Sequence, residues 1–241
     1  MPRVDVPRHV KRRLQTIGQM AARRRMNAYV VGGCVRDWLR GRRRTPDLDI
    51  LVEGDGIALA QAAAKALGGT IVTHQQFGTA TVSVNAMRLD FASCRKETYA
   101  RPAAYPKVSA GRLADDLRRR DFTINAMALS INPGRFGWLI DPFGGMADLR
   151  RKVLRILHPR SFIDDPSRIL RGVRFAQRFD LEWAPQTEQA ARKAIRIGAL
   201  GWLNLGRLRK ELDRLLDEEN PRGCLARLAA LLQPATQRRG S

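Results

Sequence analysis

The sequence has few residues of the kinds that build disulfide frameworks and metal clusters. Its three cysteines, Cys34, Cys94 and Cys224, lie far apart and form no CxxC pair, which excludes a zinc knuckle and a disulfide framework. The three histidines are scattered. No apolar run reaches the roughly 18 residues of a membrane span, and the N-terminus lacks the apolar core of a secretory signal. We therefore expect a cytoplasmic protein with reduced thiols and no membrane association.

Acidic residues are also scarce relative to basic ones. The 241 residues include 44 Lys and Arg against 23 Asp and Glu, a formal net charge of +21, and only 7 of the basic residues are lysines. A hydrophobic content of 44% excludes a generic disordered chain. The charge predicts a polyanionic partner, either nucleic acid or anionic lipid. The alternative is a solvated surface whose arginines reflect codon usage.

The hydrophobic pattern divides the chain into a mixed α/β region and a helical region. Helices are predicted at 9–26, 56–67 and 116–130, and strands at 29–31, 48–52, 70–73, 78–93 and 138–140. Residues 95–114 contain Pro102 and Pro106 and predict a long loop, which is uncommon without a function. From about residue 147 onward the pattern is helical almost throughout.

Two adjacent glycines mark a candidate phosphate site. Gly32 and Gly33 follow an apolar strand and open a helix that contains Arg36 and Asp37. Glycine lets the backbone approach a ligand, and the amides at a helix start attract anions. Arg36 adds a charge-assisted contact to phosphate. A tight strand-to-helix turn without a ligand explains the same pattern, and both interpretations stay open.

Three carboxylates indicate a site for a hard cation. Asp47 and Asp49 alternate with Leu48 and Ile50, so both acids lie on the strand face that points away from the core. Neighbouring carboxylates repel unless a cation lies between them, and Mg²⁺ prefers such oxygens. Asp90 offers a third carboxylate that could deprotonate a hydroxyl. The alternatives are an exposed strand face for the first two acids and a surface ion pair for Asp90.

A basic and polar segment follows in RRDFTINA. Arg120 could grip a triphosphate, while Asp121 and Asn125 could hold a ribose hydroxyl. The alternative is a solvated helix start, where the helix dipole favours an acidic residue.

The segment DDPSRILRGVRFA combines a helix start with regularly spaced charges. Pro166 fits the first turn of a helix, and Asp165, Arg168, Arg171 and Arg174 recur every three residues, which predicts one polar row. An aspartate beside an arginine presents an acceptor next to a planar donor fork, as the edge of a nucleobase requires. The next two arginines could reach phosphates. A surface helix with salt bridges is the alternative.

The order of five motifs resembles the class II tRNA nucleotidyltransferase and bacterial poly(A) polymerase family. The motifs are GGCVRDWLRG, DLDI, RRDFTINAMAL, DPFGGMADL and DDPSRILRGVRFA. The resemblance runs from Tyr29 to Phe179 and extends through RLRKELDRLL at 207–216. It implies an α/β head of the nucleotidyltransferase (polymerase beta-like) type with a small mixed sheet at 1–150. An all-helical, RNA-binding neck would follow at 151–241, with the family's body and tail domains absent.

The resemblance also implies an activity and assigns roles to residues. It implies an enzyme that uses CTP and ATP to add CCA, or the terminal A alone, to the tRNA 3′ end. The implied reaction is a template-independent phosphoryl transfer with two Mg²⁺ ions. Asp47 and Asp49 would bind the metal, and Asp90 would be the third catalytic acid. The implied hinge between head and neck is 141–148. The nucleotide-binding residues are expected to be Gly32, Gly33, Arg36, Asp37, Arg120, Asp121, Asn125, Asp165, Arg168, Arg171 and Arg174.

The chain departs from the family pattern in two places. Asp164 stands where the family commonly has Glu, and only 25 residues follow the motif at 207–216. The segment 95–115 is not shortened; in this family a deletion there accompanies enzymes that add only C, so its presence favours addition of A. Two other functions stay open: a poly(A) polymerase that acts on generic RNA, and a non-catalytic RNA-binding module.

Overall fold

The computed structural model describes residues 2–44 and 47–233. The chain forms two compact units, one built from residues 1–97 and 108–147 and the other from residues 98–107 and 148–241. The units divide within the segment expected to be a hinge, three residues before the predicted boundary at 150. The sequence pattern did not indicate that 98–107 groups with the second unit.

The elements before residue 94 are α1 (Arg8–Arg23), β1 (Asn27–Val31), α2 (Gly33–Leu39), β2 (Asp47–Glu53), α3 (Gly56–Leu67), β3 (Thr70–His74), β4 (Thr79–Val84) and β5 (Met87–Ser93). Those that follow, up to residue 154, are β6 (Arg95–Thr98), β7 (Lys107–Ala110), α4 (Leu113–Arg118), β8 (Ala128–Ser130), β9 (Leu139–Ile140), α5 (Gly145–Arg150) and β10 (Val153–Leu154). The remainder are α6 (Ser161–Asp164), α7 (Ser167–Phe179), β11 (Glu182–Trp183), α8 (Pro185–Arg196), α9 (Leu205–Leu216) and α10 (Pro221–Leu232). Short 3₁₀ turns cover Gln75–Phe77, Thr123–Asn125 and Ala199–Trp202.

A seven-stranded mixed sheet forms the centre of the first unit, in the order β3-β4-β5-β2-β1-β8-β9. The pair β2 and β5 is parallel, and the other neighbours are antiparallel. This architecture confirms the predicted α/β head with a mixed sheet. Among the helices of the described residues, none is long and apolar enough to cross a membrane.

One face of the sheet carries the core. Leu48, Ile50 and Val52 of β2 are buried, together with residues of α1 and α3, while Asp47 and Asp49 on the alternate positions are exposed. The predicted alternation of β2 is therefore confirmed. Because successive side chains of a strand point to opposite faces, burial of the apolar set leaves the acids on the other face.

Helix α3 shows how local sequence signals set the ends of an element. The side chain of Asp55 accepts a hydrogen bond from the Ala58 amide at 2.9 Å and caps the first turn, and Gly68 ends the helix at a φ of 64°. The predicted range of 56–67 is the observed one. Helix α1 ends three residues before its predicted end at 26.

The second unit packs helices around a small core. Leu170 and Val173 of α7 lie against Leu215 of α9 and Cys224 of α10. The prediction of an all-helical region is wrong in one detail, because β10 and β11 pair as a two-stranded parallel sheet. Strands of two residues have no detectable period, so only the pairing across 29 residues reveals them.

Two predictions about the middle of the chain are wrong. The segment predicted to be a loop at 95–114 contains β6 and β7, which pair as a two-stranded ribbon, and the start of α4. The predicted helix at 116–130 is divided into α4, a 3₁₀ turn and β8. Tertiary pairing overrides local helical periodicity here, because β8 pairs with β1 on one side and β9 on the other and its three residues are buried.

Candidate functional site

The parallel register of β2 and β5 brings two acids side by side. Asp49 is the direct partner of Asp90, and Asp47 that of Arg88. Direct neighbours on adjacent strands are about 4.8 Å apart along the hydrogen-bonding direction. Asp90 is oriented by Thr81, whose hydroxyl donates to Oδ1 at 2.5 Å, and by Arg88, whose Nε lies 2.9 Å from Oδ2. The structure thus groups the three predicted carboxylates on one face, with Asp90 locked in a defined rotamer.

The electrostatics of Asp49 reflect this crowding. Part of the residue is exposed, but its carboxyl lies among protein atoms at the edge of a cavity, and this desolvation is the largest cause that raises its pKa. The guanidinium of Arg120 opposes that effect, and repulsion from Asp90 and Asp47 adds to it. Within the described residues, no three carboxylate, thiol or imidazole groups converge closely enough to enclose a metal ion. The neighbouring carboxylates of Asp49 and Asp90 are oxygen donors of the kind that a hard divalent cation accepts.

A cavity of about 410 Å³ lies beside these acids. Asp49 and Asp90 line it together with four arginines: Arg88, Arg95, Arg119 and Arg120. Two of them are anchored by the fully buried Asp116, with Arg119 Nη2 at 2.9 Å from Oδ2 and Arg120 Nη2 at 3.5 Å from Oδ1. A pocket that presents both carboxylates and fixed guanidinium groups suits a metal-phosphate ligand, because the two signs of charge match its two parts.

The backbone turn at Gly32 lies close to two residues of this cavity, Arg120 and Asp49. Gly32 has a φ of 74°, which L side chains rarely adopt, and a Cβ there would lie 2.8 Å from Arg120 Nη1 and 3.7 Å from Asp49 Oδ2. Glycine at 32 therefore allows the close approach of the backbone to both groups. At Gly33 a Cβ would lie 3.4 Å from Nη2 of Arg36.

Arg36 belongs to a buried network behind this turn. Its Nη1 donates to Oδ1 of Asn125 at 2.6 Å, and its Nε to Asp37 at 3.0 Å. Asn125 in turn donates to Asp121 at 3.0 Å, and its carbonyl accepts from Arg120 at 3.3 Å. Arg36, Asp121 and Asn125 are each below 8% exposed. The structure brings these predicted site residues together as a support for Arg120.

In the second unit, Asp165 and Arg168 form the predicted pair. Arg168 Nε lies 3.9 Å from Oδ2 of Asp165, and its Nη1 donates to the Ser161 hydroxyl at 2.7 Å. Arg207 of α9 donates to Oδ1 of Asp165 at 2.7 Å. The acceptor and the donor fork expected from the sequence are thus present and held in place by two further side chains.

The single polar row predicted for this helix is wrong. Asp165 precedes α7, and the six residues from Arg168 to Arg174 turn the helix through about 600°, so these two arginines lie on different faces. Arg171 lies over the Phe175 ring at 5.4 Å, whereas Arg174 is buried and pairs with Glu218 at 2.9 Å and Glu211 at 3.5 Å. These contacts give Arg174 a role in packing α7 against α9 and the segment before α10, not beside Asp165.

Sequence reasoning missed three residues that organise the site. Thr81 orients Asp90, Asp116 anchors Arg119 and Arg120, and Arg207 holds Asp165. Arg207 is the first residue of the family-like segment RLRKELDRLL at 207–216, so the sequence did contain a signal for it. Thr81 and Asp116 carry no local signal, because their partners come from other elements.

Residues 28–155 match the family described as the Poly A polymerase head domain. The chain is 44% identical over 223 residues to the A-adding tRNA nucleotidyltransferase of Halalkalibacterium halodurans, covering 90% of this chain and 52% of that protein. It is 47% identical over 194 residues to the A-adding tRNA nucleotidyltransferase of Aquifex aeolicus, covering 80% of this chain and 23% of that protein. The chain therefore spans about half of one relative and a quarter of the other.

Solved structures give the same likeness. The Thermotoga maritima CCA-adding enzyme in complex with tRNA_CCA superimposes with a TM-score of 0.81 at 40% identity, covering 95% of this chain and 52% of that one. Similar structures also include complexes of CCA-adding enzyme with CTP and with ATP.

Proposed function

Because the chain belongs to the family of the poly A polymerase head domain, we propose that it transfers nucleotides from ATP and CTP to the 3′ end of tRNA. The observation that carries this proposal is the pairing of Asp49 with Asp90 on parallel strands, beside a cavity lined by arginines. Binding of RNA alone does not need clustered acids next to a phosphate site, since acids repel the RNA backbone.

The reaction joins an RNA hydroxyl to a nucleotide. The 3′ oxygen forms a bond to the α-phosphorus of the triphosphate, the bond from that phosphorus to pyrophosphate breaks, and the hydroxyl proton leaves. To Asp90 we assign the holding of the hydroxyl and the acceptance of its proton, a role supported by the contacts of Thr81 and Arg88 with its carboxylate. To Arg119 and Arg120 we assign binding of the triphosphate, supported by their fixed position on Asp116.

Members of this family generally use a divalent metal. We assign Mg²⁺ to Asp47 and Asp49, whose oxygens and mutual repulsion suit a small hard cation. When bound, the metal supplies positive charge that stabilises the phosphoryl oxygens and lowers the pKa of the hydroxyl.

Asp165 and Arg168 are the residues proposed to select the base. Their acceptor and donor groups can hydrogen-bond a nucleobase edge, and bidentate pairing of this kind gives about 1–3 kcal/mol of discrimination in groove readout. Transfer of A is favoured because the 95–115 segment is not shortened and because the two quoted relatives are A-adding enzymes. We also propose a cytoplasmic location, which the three buried free thiols support.

The test is an incorporation assay with labelled ATP and CTP. The acceptors are tRNA that ends before the first C, tRNA that ends after CC, and oligo(A). We expect Mg²⁺-dependent addition of a single A to tRNA ending in CC. Long A tracts on oligo(A) would instead indicate a poly(A) polymerase, and RNA binding without incorporation would indicate a binding module.

Variants make the assay specific to the site. Asp47→Ala and Asp49→Ala should abolish incorporation while circular dichroism shows an intact fold, and full activity in either variant would reject the proposal. Asp180→Ala is the matched control, because Asp180 is an exposed aspartate whose ion pair with Lys152 lies on the surface. Arg168→Ala should reduce the preference between ATP and CTP, and unchanged selectivity would argue against base reading by this residue.

A further inference from the structure

A second cavity, of about 370 Å³, lies in the second unit. It is lined by the turn 101–104 and by Trp202. Its volume lies in the range of about 300–1,000 Å³ that is typical of small-molecule sites. None of the residues assigned to catalysis or base selection lines it, although Arg207, which holds Asp165, also contacts its wall at Ala103.

Aromatic and cationic side chains surround this cavity. Trp202 is 42% exposed and the neighbouring Tyr105 is 74% exposed, so both rings present apolar area to solvent. Arg101 is exposed, and within the described part of the chain its guanidinium has no ion pair. Exposed aromatic rings beside arginine are the combination that binds unpaired nucleotides, by stacking and by phosphate contact.

The wall of the cavity is held in a fixed shape. Arg207 donates to the carbonyl of Ala103 at 3.3 Å, and its guanidinium lies 5.6 Å from the Tyr105 ring. Asn204, which caps α9, donates to the hydroxyl of Tyr105 at 3.3 Å. A preorganised wall lowers the entropy that a ligand loses on binding.

From these observations we infer that this cavity binds an unpaired nucleotide of the RNA substrate, with its base stacked on Trp202 and its phosphate near Arg101. The lining side chains are an indole, a guanidinium, a proline and two alanines. Such a lining favours stacking and phosphate contact, which tolerate any base and suit an RNA strand. An incoming nucleoside triphosphate has to be discriminated, and stacking with phosphate contact gives no means of doing so.

The inference rests on the proposed function for its ligand, and the experiment separates the two. Binding of a short oligo(A) RNA to the full chain is measured by anisotropy at low and high salt, and KM for ATP is measured with tRNA as acceptor. The variants are Trp202→Ala and Trp202→Phe, with Trp138→Phe as the control, since Trp138 is 39% exposed and lies in the first unit.

Trp202→Ala should weaken RNA binding by about tenfold at both salt concentrations, because stacking is not screened by ions. Trp202→Phe should keep most of the affinity, and Trp138→Phe all of it, with KM for ATP unchanged throughout. Arg101→Ala should reduce the slope of affinity against salt by about one phosphate contact.

Unchanged RNA affinity in a folded Trp202→Ala variant overturns the inference, as does a raised KM for ATP with unaltered RNA binding. RNA binding that depends on Trp202 in a chain without transferase activity refutes the proposed function and supports this site. A chain that binds no RNA at all overturns both.

Discussion

Arg207 donates to Oδ1 of Asp165 at 2.7 Å, across 42 residues of sequence. The same oxygen accepts the amide and the hydroxyl of Ser167, at 3.1 and 2.6 Å. Oδ2 faces Arg168 at 3.9 Å. One oxygen of the carboxylate therefore accepts three hydrogen bonds from the protein, which fixes the orientation of the other oxygen.

Removal of Arg207 should disturb base selection more than catalysis. In Arg207→Ala the carboxylate of Asp165 loses a charge-assisted hydrogen bond, typically about 1.5–3 kcal/mol, and rotates more freely. We expect the ratio of kcat/KM for ATP over CTP to change by about tenfold, with Arg207→Lys in between. A variant that loses stability but keeps this ratio would contradict a positioning role.

Arg209 provides the matched control for that experiment. It lies two residues further along α9, its side chain is 86% exposed, and its partner Asp213 is 3.9 Å away. Exposed pairs of this kind contribute about 0–1 kcal/mol. Arg209→Ala should leave the ATP/CTP ratio at the wild-type value.

The carboxyl of Asp49 should titrate above its ordinary pKa of 3.8 in the metal-free chain, mainly because of burial. Asp90→Asn removes one negative neighbour and should lower the pKa of Asp49 toward the ordinary value. Carboxyl ¹³C NMR measures the pKa of Asp49 in the wild-type chain and in Asp90→Asn. An unchanged Asp49 pKa in Asp90→Asn would show that the two groups are not coupled.

The same shift predicts how stability depends on pH. A carboxyl whose pKa is raised on folding destabilises the folded state at pH values above that pKa, where the folded state must hold the charge. Asp49→Asn should therefore raise Tm at neutral pH. The gain should vanish as pH falls below the ordinary carboxyl pKa, where Asp49 is protonated in both states. Thermal unfolding across this pH range tests the sign, and a lower Tm of Asp49→Asn at neutral pH would refute it.

Arg174 should contribute to the stability of the second unit. Arg174→Ala removes one of two arginine partners from each carboxylate, since Glu218 also pairs with Arg178 and Glu211 with Arg214, both at 2.6 Å. We therefore expect a loss smaller than the about 3–5 kcal/mol of a fully broken buried pair. Denaturant unfolding measures the loss, which a simultaneous Glu218→Gln change should reduce. Arg171→Ala, which removes a contact with Phe175, should cost about 1 kcal/mol or less. A stable Arg174→Ala chain with a raised KM for ATP would instead indicate contact with the nucleotide.

The net charge of +21 should appear in the salt dependence of tRNA binding. We expect affinity to fall by at least about 100-fold between roughly 50 and 200 mM salt, the loss that about four phosphate contacts produce. Filter binding across a salt series measures the slope. An affinity that hardly changes with salt would mean that the arginines make no contact with phosphates and form only a solvated surface, as codon usage would produce.

Local sequence was sufficient for several elements and for the chemical types of the site residues. The alternation in β2 placed Asp47 and Asp49 on one face, and Asp55 with Gly68 set the ends of α3. These features depend on periodicity and on capping, which act over a few residues. The order of motifs identified the family in the same way, since each motif is contiguous.

Other features depend on contacts between distant parts of the chain. The Thr81 hydroxyl that orients Asp90, the ribbon of β6 and β7, and the conversion of 128–130 into a strand arise from strand pairing, which no local pattern records. Arg174 illustrates the limit most clearly. Its spacing from Arg168 indicates a shared row, but the 3.6-residue turn rotates it away toward Glu218.

By itself, the sequence determined which residue types are present and which face of each long element they occupy, because helical and strand periods follow from backbone geometry. Only the tertiary structure decided which faces meet. It placed Asp90 beside Asp49 through the register of β5, and Arg207 beside Asp165 through the packing of α9 on α7. Those pairings follow from burial of apolar surface across the whole chain, a property that no single segment contains.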